Sequence, residues 1–201
     1  MPKPHFREHL KAETIAIARR ILATEGLSAL QARRIAHEAG CSVGTIYNLY
    51  SNLDDLVVVA NAGTLEDLGA ALVQSLESST SEKLGPRLIG LGLAYLTFAI
   101  ESEQAWRAVF EHRLDADQSV PEWYRVRQSE LFDIVKHELV EPLTDDVERD
   151  IVARALFAAV HGIVTLALDQ KLGLFDRTGT EAQIKFIVGA AARGIIKNQE
   201  A

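Results

Sequence analysis

The sequence has a single cysteine, no long uncharged apolar run and no apolar leader, and each absence excludes a class of protein. One cysteine, Cys41, cannot build an intramolecular disulfide framework or a cysteine zinc site. The longest apolar runs, 88–100 and 155–168, hold 13 and 14 residues, fewer than the roughly 18 that suggest a membrane span. The N-terminal residues mix charges of both signs, so no signal peptide is visible. We therefore expect a cytoplasmic protein with no membrane segment.

Charge is distributed unevenly along the 201 residues. Apolar residues make up 48% and charged residues 24%, a balance that favours a packed core of one or two domains. Residues 1–50 carry seven Lys and Arg against four Asp and Glu, whereas the remainder carries 14 against 24. A basic N-terminal quarter on an acidic remainder indicates two separate roles, although chance asymmetry would produce the same split.

Apolar residues recur with a helical period almost throughout. Leu10, Thr14, Ile17 and Ile21 lie on one helix face. Gly26 is predicted to end this first helix, and Gly40 is predicted to end a short second one. We expect a third helix from Ser42 and a long fourth from Asn52 or Asp54, with two acids in its first turn. No alternating run is long enough for a strand, so the prediction is an all-α chain of about nine helices.

Capping and loop signals place the later helices. Asp145 with Glu148, and Thr180 with Gln183, are typical of capping boxes at the start of the last two long helices. The predicted loops are residues 78–85, 114–120, 140–144 and 173–179.

Residues 31–50, QARRIAHEAGCSVGTIYNLY, have the layout of a helix-turn-helix. At about 100° per residue, Ile46, Leu49 and Tyr50 form the core side of its second helix. The opposite side is small, hydrogen-bonding and free of acidic residues, as the major groove requires. Thr45 and Asn48 are predicted to read base edges, and the helix start at Ser42 suits a phosphate. The full set of predicted DNA-contacting residues is Gln31, Arg33, Ser42, Val43, Gly44, Thr45, Tyr47 and Asn48.

The longer stretch GLSALQARRIAHEAGCSVGTIYNLYSNLDDL resembles the DNA-binding domain of TetR-type transcriptional repressors in register over about 45 residues. The resemblance rests on Gly26, the Ile35-Ala36 pair, Ala39-Gly40, Ser42, Gly44-Thr45, Tyr47, the aromatic residue at 50 and Leu56. It implies an all-helical homodimer with a helix-turn-helix domain at 1–52 and an effector-binding and dimerisation domain at 53–201. Its further implication is a ligand-responsive repressor that leaves a palindromic operator when a small effector binds.

The sequence departs from that family at Gln31, Val43, Leu49 and Leu53, and the family commonly uses the last two positions to contact phosphates. The family usually has Thr or Ser at Gln31, His near Leu49 and Lys at Leu53. Loss of such contacts lowers DNA affinity and its salt dependence. We expect Arg33, Arg34 or the N-terminal arm to compensate. Cys41 is expected to be a small buried residue rather than a redox switch.

Aromatic residues spread over several predicted helices favour an apolar small-molecule site, although each alone is more often core. His161 is either a hydrogen-bonded core histidine or an effector contact. The candidates include few polar groups, so the predicted effector is largely hydrophobic or aromatic with at most one charge. A strongly anionic ligand is disfavoured because the remainder of the chain is acidic and has no phosphate loop. The candidate effector-binding residues are Tyr95, Phe98, Trp106, Phe110, Trp123, Phe157 and His161.

Small and apolar residues on the last two long helices predict the dimer interface. The candidates are Ile151, Ala155, Ala159, Gly162, Leu166, Ile187, Ala191 and Gly194. The chain carries no catalytic motif, so no enzyme activity, metal or cofactor is expected. The alternative is an all-α small-molecule-binding protein or enzyme with a helix-turn-helix-like segment and no operator.

Overall fold

The computed structural model describes residues 4–114, 119–171 and 176–199. Over these ranges the chain forms nine α-helices, one short 3₁₀ turn at Leu27–Ala29 and no strand. The helices are α1 Pro4–Glu25, α2 Ala32–Glu38, α3 Val43–Leu49, α4 Leu53–Glu77, α5 Leu84–Glu101, α6 Glu103–Glu111, α7 Glu122–Glu138, α8 Asp146–Leu168 and α9 Arg177–Gln199. The all-α prediction is confirmed.

The chain divides into two compact units. The first unit comprises Met1–Asp67 and Ser102–Arg127, and the second comprises Leu68–Glu101 and Gln128–Ala201. The helix-turn-helix lies in the first unit, together with α6 and the start of α7. Helices α8 and α9 lie in the second unit.

A core of aliphatic side chains holds α1, α2 and α3 together in the first unit. Ile21, Ile35 and Ile46 are all essentially inaccessible to solvent. Ala108 of α6 belongs to the same cluster. Of the predicted α1 face, Leu10, Thr14 and Ile21 are buried and Ile17 is partly buried.

Glycine ends the first two helices, as predicted. Gly26 follows α1 with φ 80° and ψ −177°, and Gly40 follows α2 with φ 64°. A positive φ is costly for residues with a Cβ atom, so both positions favour glycine. Asn52 precedes α4 and its side chain accepts a hydrogen bond from the Asp55 amide at 2.8 Å.

The start of the last helix corrects one prediction. Asp145 caps α8 as expected, since its side chain accepts from the Val147 amide at 3.0 Å. Thr180 does not cap α9, because α9 begins at Arg177 and the Asp176 side chain accepts from the Gly179 amide at 2.7 Å. Thr180 is buried within the first turns and donates to the Asp176 carbonyl at 2.9 Å. A threonine inside a helix can satisfy its hydroxyl this way, which the capping-box pattern does not distinguish.

The predicted loops coincide in part with breaks between helices. α5 begins at Leu84, so the end of the 78–85 loop is helical. Residues 140–144 do lie between α7 and α8. Residues 115–118 of the 114–120 loop, and 173–175 of the 173–179 loop, lie outside the described residues.

Three described helices, α4, α5 and α8, are long and apolar enough to cross a membrane by length and composition alone. In α4, 56% of the most apolar stretch is buried inside the protein, whereas in α8 only 22% is. Helix α8 therefore leaves much apolar surface uncovered in a single chain. The absence of a membrane segment stays a prediction.

Candidate DNA-binding and effector sites

Helix α3 presents a polar face that has no acidic side chain. Ser42 caps α3, and its hydroxyl oxygen accepts from the Thr45 amide at 3.2 Å. The Ser42 and Thr45 hydroxyls also bond each other at 2.9 Å, which fixes the orientation of Thr45. Ile46 and Tyr50 are buried, whereas Tyr47 and Asn48 are exposed. The two predicted faces of α3 are thus present.

Helix α2 and the turn support this face. Gln31 occupies the residue before α2 and is exposed, without a side-chain bond to the helix start. Arg33 is also exposed, while Ile35 and Ala36 are buried against the core. Val43 and Cys41 are partly buried and pack against the same core, so Cys41 is only partly the buried residue that was expected.

Helix α1 holds the end of α3 in place. The Tyr50 and Thr14 hydroxyls form a buried hydrogen bond of 2.8 Å. The Tyr50 hydroxyl also donates to the Lys11 carbonyl at 3.3 Å, and burial raises the pKa of Tyr50. Arg7 donates to the Asn48 carbonyl at 3.2 Å. These contacts bring the N-terminal turns of α1 to the edge of the polar face.

An ion-pair network joins α2 to α1. Arg34 makes two bonds to Glu25, at 2.8 and 2.6 Å, and one to Glu38 at 3.0 Å. Glu38 also pairs with Arg20. The Arg34 guanidinium lowers the pKa of Glu25, as expected for a bidentate pair. Arg34 is therefore committed to holding α2, which makes Arg33 the better candidate on α2 for a phosphate.

Four candidate effector residues lie in the second unit, and three of them contact one another. The Tyr95 hydroxyl and His161 Nδ1 are 2.8 Å apart. The Phe157 ring stacks on His161 with centroids 5.3 Å apart and meets the Tyr95 ring edge-on at 5.9 Å. Burial lowers the pKa of His161. Phe98 is partly buried in the same unit.

The other three candidate effector residues lie in the first unit. Trp106 is buried and packs on Phe110, with centroids 5.2 Å apart. Trp123 is half exposed and meets Tyr124 edge-on at 5.7 Å. The predicted residues therefore fall into separate aromatic groups, with at least one group in each unit.

Comparison with known families decides the identity. The family model described as "Bacterial regulatory proteins, tetR family" matches residues 15–60. The model described as "Tetracyclin repressor-like, C-terminal domain" matches residues 88–188, which is half of the chain. The chain belongs to the TetR family. It is a TetR-type transcription regulator with a DNA-binding helix-turn-helix domain and a ligand-binding C-terminal domain.

Solved structures share the TetR fold at low sequence identity. A Rhodococcus sp. RHA1 protein of unknown function is 21% identical with a TM-score of 0.73, over 92% of this chain and 94% of that one. A tetR-family transcriptional regulator from Streptomyces coelicolor is 16% identical with a TM-score of 0.60, over 98% and 90%. RolR, solved with the ligand resorcinol, is 19% identical with a TM-score of 0.65, over 96% of both chains. No curated protein matches the chain.

The last two helices of this TetR-type chain carry exposed apolar residues where the dimer interface was predicted. Ile151, Leu166 and Ile187 are exposed, at 61%, 38% and 37%. An added Cβ atom at Gly162 or Gly194 would meet no atom within 4 Å, so the surface there is open. Ala155 is exposed, and Ala159 and Ala191 are partly buried.

Sequence reasoning missed three further exposed apolar residues on these two helices. Phe186 of α9 is 73% exposed, Val147 of α8 is 66% exposed and Ile196 is 42% exposed. Contiguous exposed apolar patches mark interaction sites, whereas single exposed apolar residues are ordinary. The signal available in the sequence was the position of Phe186 next to Ile187, a predicted interface residue of the last helix.

Proposed function

We propose that this chain is a repressor that binds a palindromic DNA operator through α3 and leaves it when a small apolar effector binds. The observation that carries the proposal is the exposed face of α3, which is capped by Ser42 and includes Tyr47 and Asn48 but no acidic residue. A helix enters the major groove only where its outward face is uncrowded and not negatively charged.

The proposed operator-binding form is a homodimer. Residues 1–52 form the DNA-binding domain, and residues 53–201 form the effector-binding and dimerisation domain. Exposed apolar surface on α8 and α9 supports pairing with a second copy, because two helices from each chain form a four-helix bundle. A two-fold dimer reads two half-sites about 34–36 Å apart on the DNA.

Effector binding acts by shifting a population between two states. Helix α4 contributes residues to both compact units, so a tilt of α4 would change the separation of the two α3 helices in the dimer. The effector favours the state whose separation does not fit the operator. The protein acts in the cytoplasm, where its DNA is, and needs no catalysis, as is general for this family.

The aromatic groups support an effector that is largely apolar. Small-molecule sites are mostly apolar with a few placed polar groups. The fold neighbour RolR, which was solved with resorcinol, binds a small aromatic compound, which agrees with that expectation.

A genomic selection tests the proposal. Fragmented genomic DNA is mixed with the protein at about 50 mM salt, and bound fragments are recovered and sequenced. We expect a few fragments that share a palindrome, and weaker enrichment with a relaxed preference at one base position for Asn48→Ala. Failure to retain any DNA at low salt would support the alternative, an all-α binding protein without an operator.

A further inference from the structure

One cluster in the second unit combines aromatic rings with neutral hydrogen-bonding groups. It consists of side chains from three helices: Tyr95 of α5, Phe132 of α7, and Phe157, His161 and Thr165 of α8. Phe132 meets Phe157 edge-on with centroids 5.4 Å apart, and Phe157 stacks on His161. Tyr95 lies at the base of the cluster because it is 5% exposed, while the other members are only partly buried. Part of the cluster is therefore accessible to solvent.

The polar groups of this cluster form a short chain. The Tyr95 hydroxyl bonds His161 Nδ1 at 2.8 Å, a normal length, and the Thr165 hydroxyl lies 3.4 Å from His161 Nε2. The second contact is longer than most hydrogen bonds of this type, so it is the weaker one. Burial lowers the pKa of His161, which keeps the imidazole neutral near neutral pH. A neutral imidazole has one donor and one acceptor nitrogen. His161 can therefore exchange its weak bond to Thr165 for a hydrogen bond to a ligand.

The guanidinium that packs on Phe132 of this cluster is already paired with a carboxylate. The Arg154 guanidinium lies 4.6 Å from the centroid of the Phe132 ring and is bonded to Asp150 at 2.7 Å. Arg154 lowers the pKa of Asp150, so this ion pair is intact near neutral pH. A bound anion would have to compete with Asp150 for that guanidinium, and it would lose its own hydration at a neutral tyrosine–histidine pair.

We propose that this cluster binds a neutral aromatic compound that carries a hydroxyl group, with the hydroxyl at the Tyr95–His161 pair. Aromatic faces and edges pack against an aromatic ligand in offset or edge-on geometries. A phenolic hydroxyl both donates and accepts, which matches a neutral imidazole next to a tyrosine hydroxyl. The proposal rests on the repressor function above and specifies the effector class for that function.

The test uses the full-length protein at pH 7.5 with three probes of similar size: phenol, benzoate and toluene. Phenol is neutral and has a hydroxyl, benzoate is an anion, and toluene lacks the hydroxyl. Calorimetry should give phenol an affinity at least tenfold higher than either of the other two. Equal or tighter binding of benzoate, or no phenol binding, would overturn the proposal.

Two matched tyrosine variants locate the site. Tyr95→Phe removes the hydroxyl but keeps the ring, and should lower phenol affinity at least tenfold while toluene affinity stays the same. Tyr124→Phe removes a similarly buried hydroxyl in the first unit and should leave phenol affinity unchanged. The reverse pattern would place the site in the first unit and overturn the assignment.

DNA release separates this proposal from the function on which it rests. The ratio of operator affinity without and with phenol is measured for each variant, so a change in DNA affinity alone cancels. Operator binding without any phenol binding overturns the effector class and leaves the repressor function standing. Phenol binding that spares the operator complex supports the ligand class and contradicts its role as the effector.

Discussion

Asn48 and Arg33 are both exposed on the helix-turn-helix, and their chemistry suits different contacts with DNA. An amide pairs with a base edge through one donor and one acceptor, so it carries sequence information. A guanidinium at the helix edge pairs with phosphate, which every sequence has. Arg33 is the better candidate for that contact because Arg34 is bound to Glu25 and Glu38.

The first prediction separates these two contacts. Asn48→Ala should cost about 1–3 kcal/mol of specific binding and relax one operator position. Arg33→Ala should weaken binding to all sequences and reduce the salt slope by about 1. Fluorescence anisotropy with operator and scrambled duplexes measures both effects. Lys171→Ala, an exposed cation of the second unit, is the control, and an unchanged base preference in Asn48→Ala would refute the groove assignment.

His161 makes stability sensitive to mild acid. Its pKa is lowered by burial in the folded state, so the unfolded chain binds the proton more readily. The stabilising contribution is therefore present above about pH 6.5, the ordinary histidine value, and is lost as the pH falls through the lower folded pKa.

The second prediction follows from that linkage. Urea unfolding of the wild type should give a smaller free energy of unfolding at pH 5.5 than at pH 7.5, and His161→Asn should reduce this difference. His37→Asn, which changes an exposed histidine of α2, should keep the wild-type difference. An equal acid loss in wild type and His161→Asn would show that His161 is not the group responsible.

At the scale of elements, two glycines end helices of the first unit but differ in their surroundings. Gly26 has an extended ψ with a positive φ, and a Cβ atom there would lie 2.5 Å from Gln104 Oε1 of α6. Gly40 has the ordinary left-handed conformation, and a Cβ atom there would meet nothing within 4 Å. The first conformation is essentially restricted to glycine, whereas asparagine tolerates the second.

The third prediction uses this pair. Gly26→Ala should lower the free energy of unfolding by about 1–3 kcal/mol. Gly40→Asn should cost less than about 1 kcal/mol, because asparagine visits the left-handed region routinely. Denaturant midpoints with an unchanged m-value measure both costs. Equal losses of unfolding free energy in the two variants would contradict the assignment of a glycine-only backbone conformation to Gly26 alone.

Helix periods and breakers could be read from the sequence, but contacts between distant residues could not. The two faces of α3 follow from the spacing of Ile46 and Tyr50, and the ends of α1 and α2 follow from Gly26 and Gly40. The break at Ser102 between α5 and α6 has no glycine or proline to mark it.

The unpredicted features depend on residues that only folding brings together. The ion pair between Arg34 and Glu25 and the bond between Tyr95 and His161 join different helices, so no local pattern encodes them. Thr180 was predicted to cap a helix because a threonine hydroxyl can accept a hydrogen bond at a helix start. The same hydroxyl can instead donate to a backbone carbonyl inside a helix, and sequence alone does not distinguish the two. The position of Phe186 beside Ile187 could be read from the sequence, but its exposed fraction of 73% is set by packing.

At the scale of the whole molecule, exposed apolar side chains on α8 and α9 are the feature that a single chain leaves unexplained. Val147, Ile151 and Phe186 are each more than half exposed. Burying such surface against a second copy contributes roughly 25 cal/mol per Å² of apolar area. An isologous interface places the same residues on both partners. One charge introduced per chain therefore puts two charges into the interface.

The fourth prediction tests this interface. Ile151→Glu and Phe186→Glu should each shift sedimentation from dimer to monomer at micromolar concentration, with helical content retained. Val140→Glu changes another apolar residue that is more than half exposed, in the turn before α8, and should stay dimeric. Dimers that persist in both interface variants would move the interface elsewhere on the molecule.

The salt dependence of operator specificity tests the central claim most directly. The affinity of the protein for a selected genomic palindrome and for its scrambled sequence is measured between 50 and 200 mM salt. Regulators of this kind bind their site about 10³-fold or more above random DNA, and both affinities fall steeply with salt. A large ratio that Asn48→Ala reduces is the predicted result. A ratio near one, or no DNA binding at 50 mM salt, would contradict a repressor function.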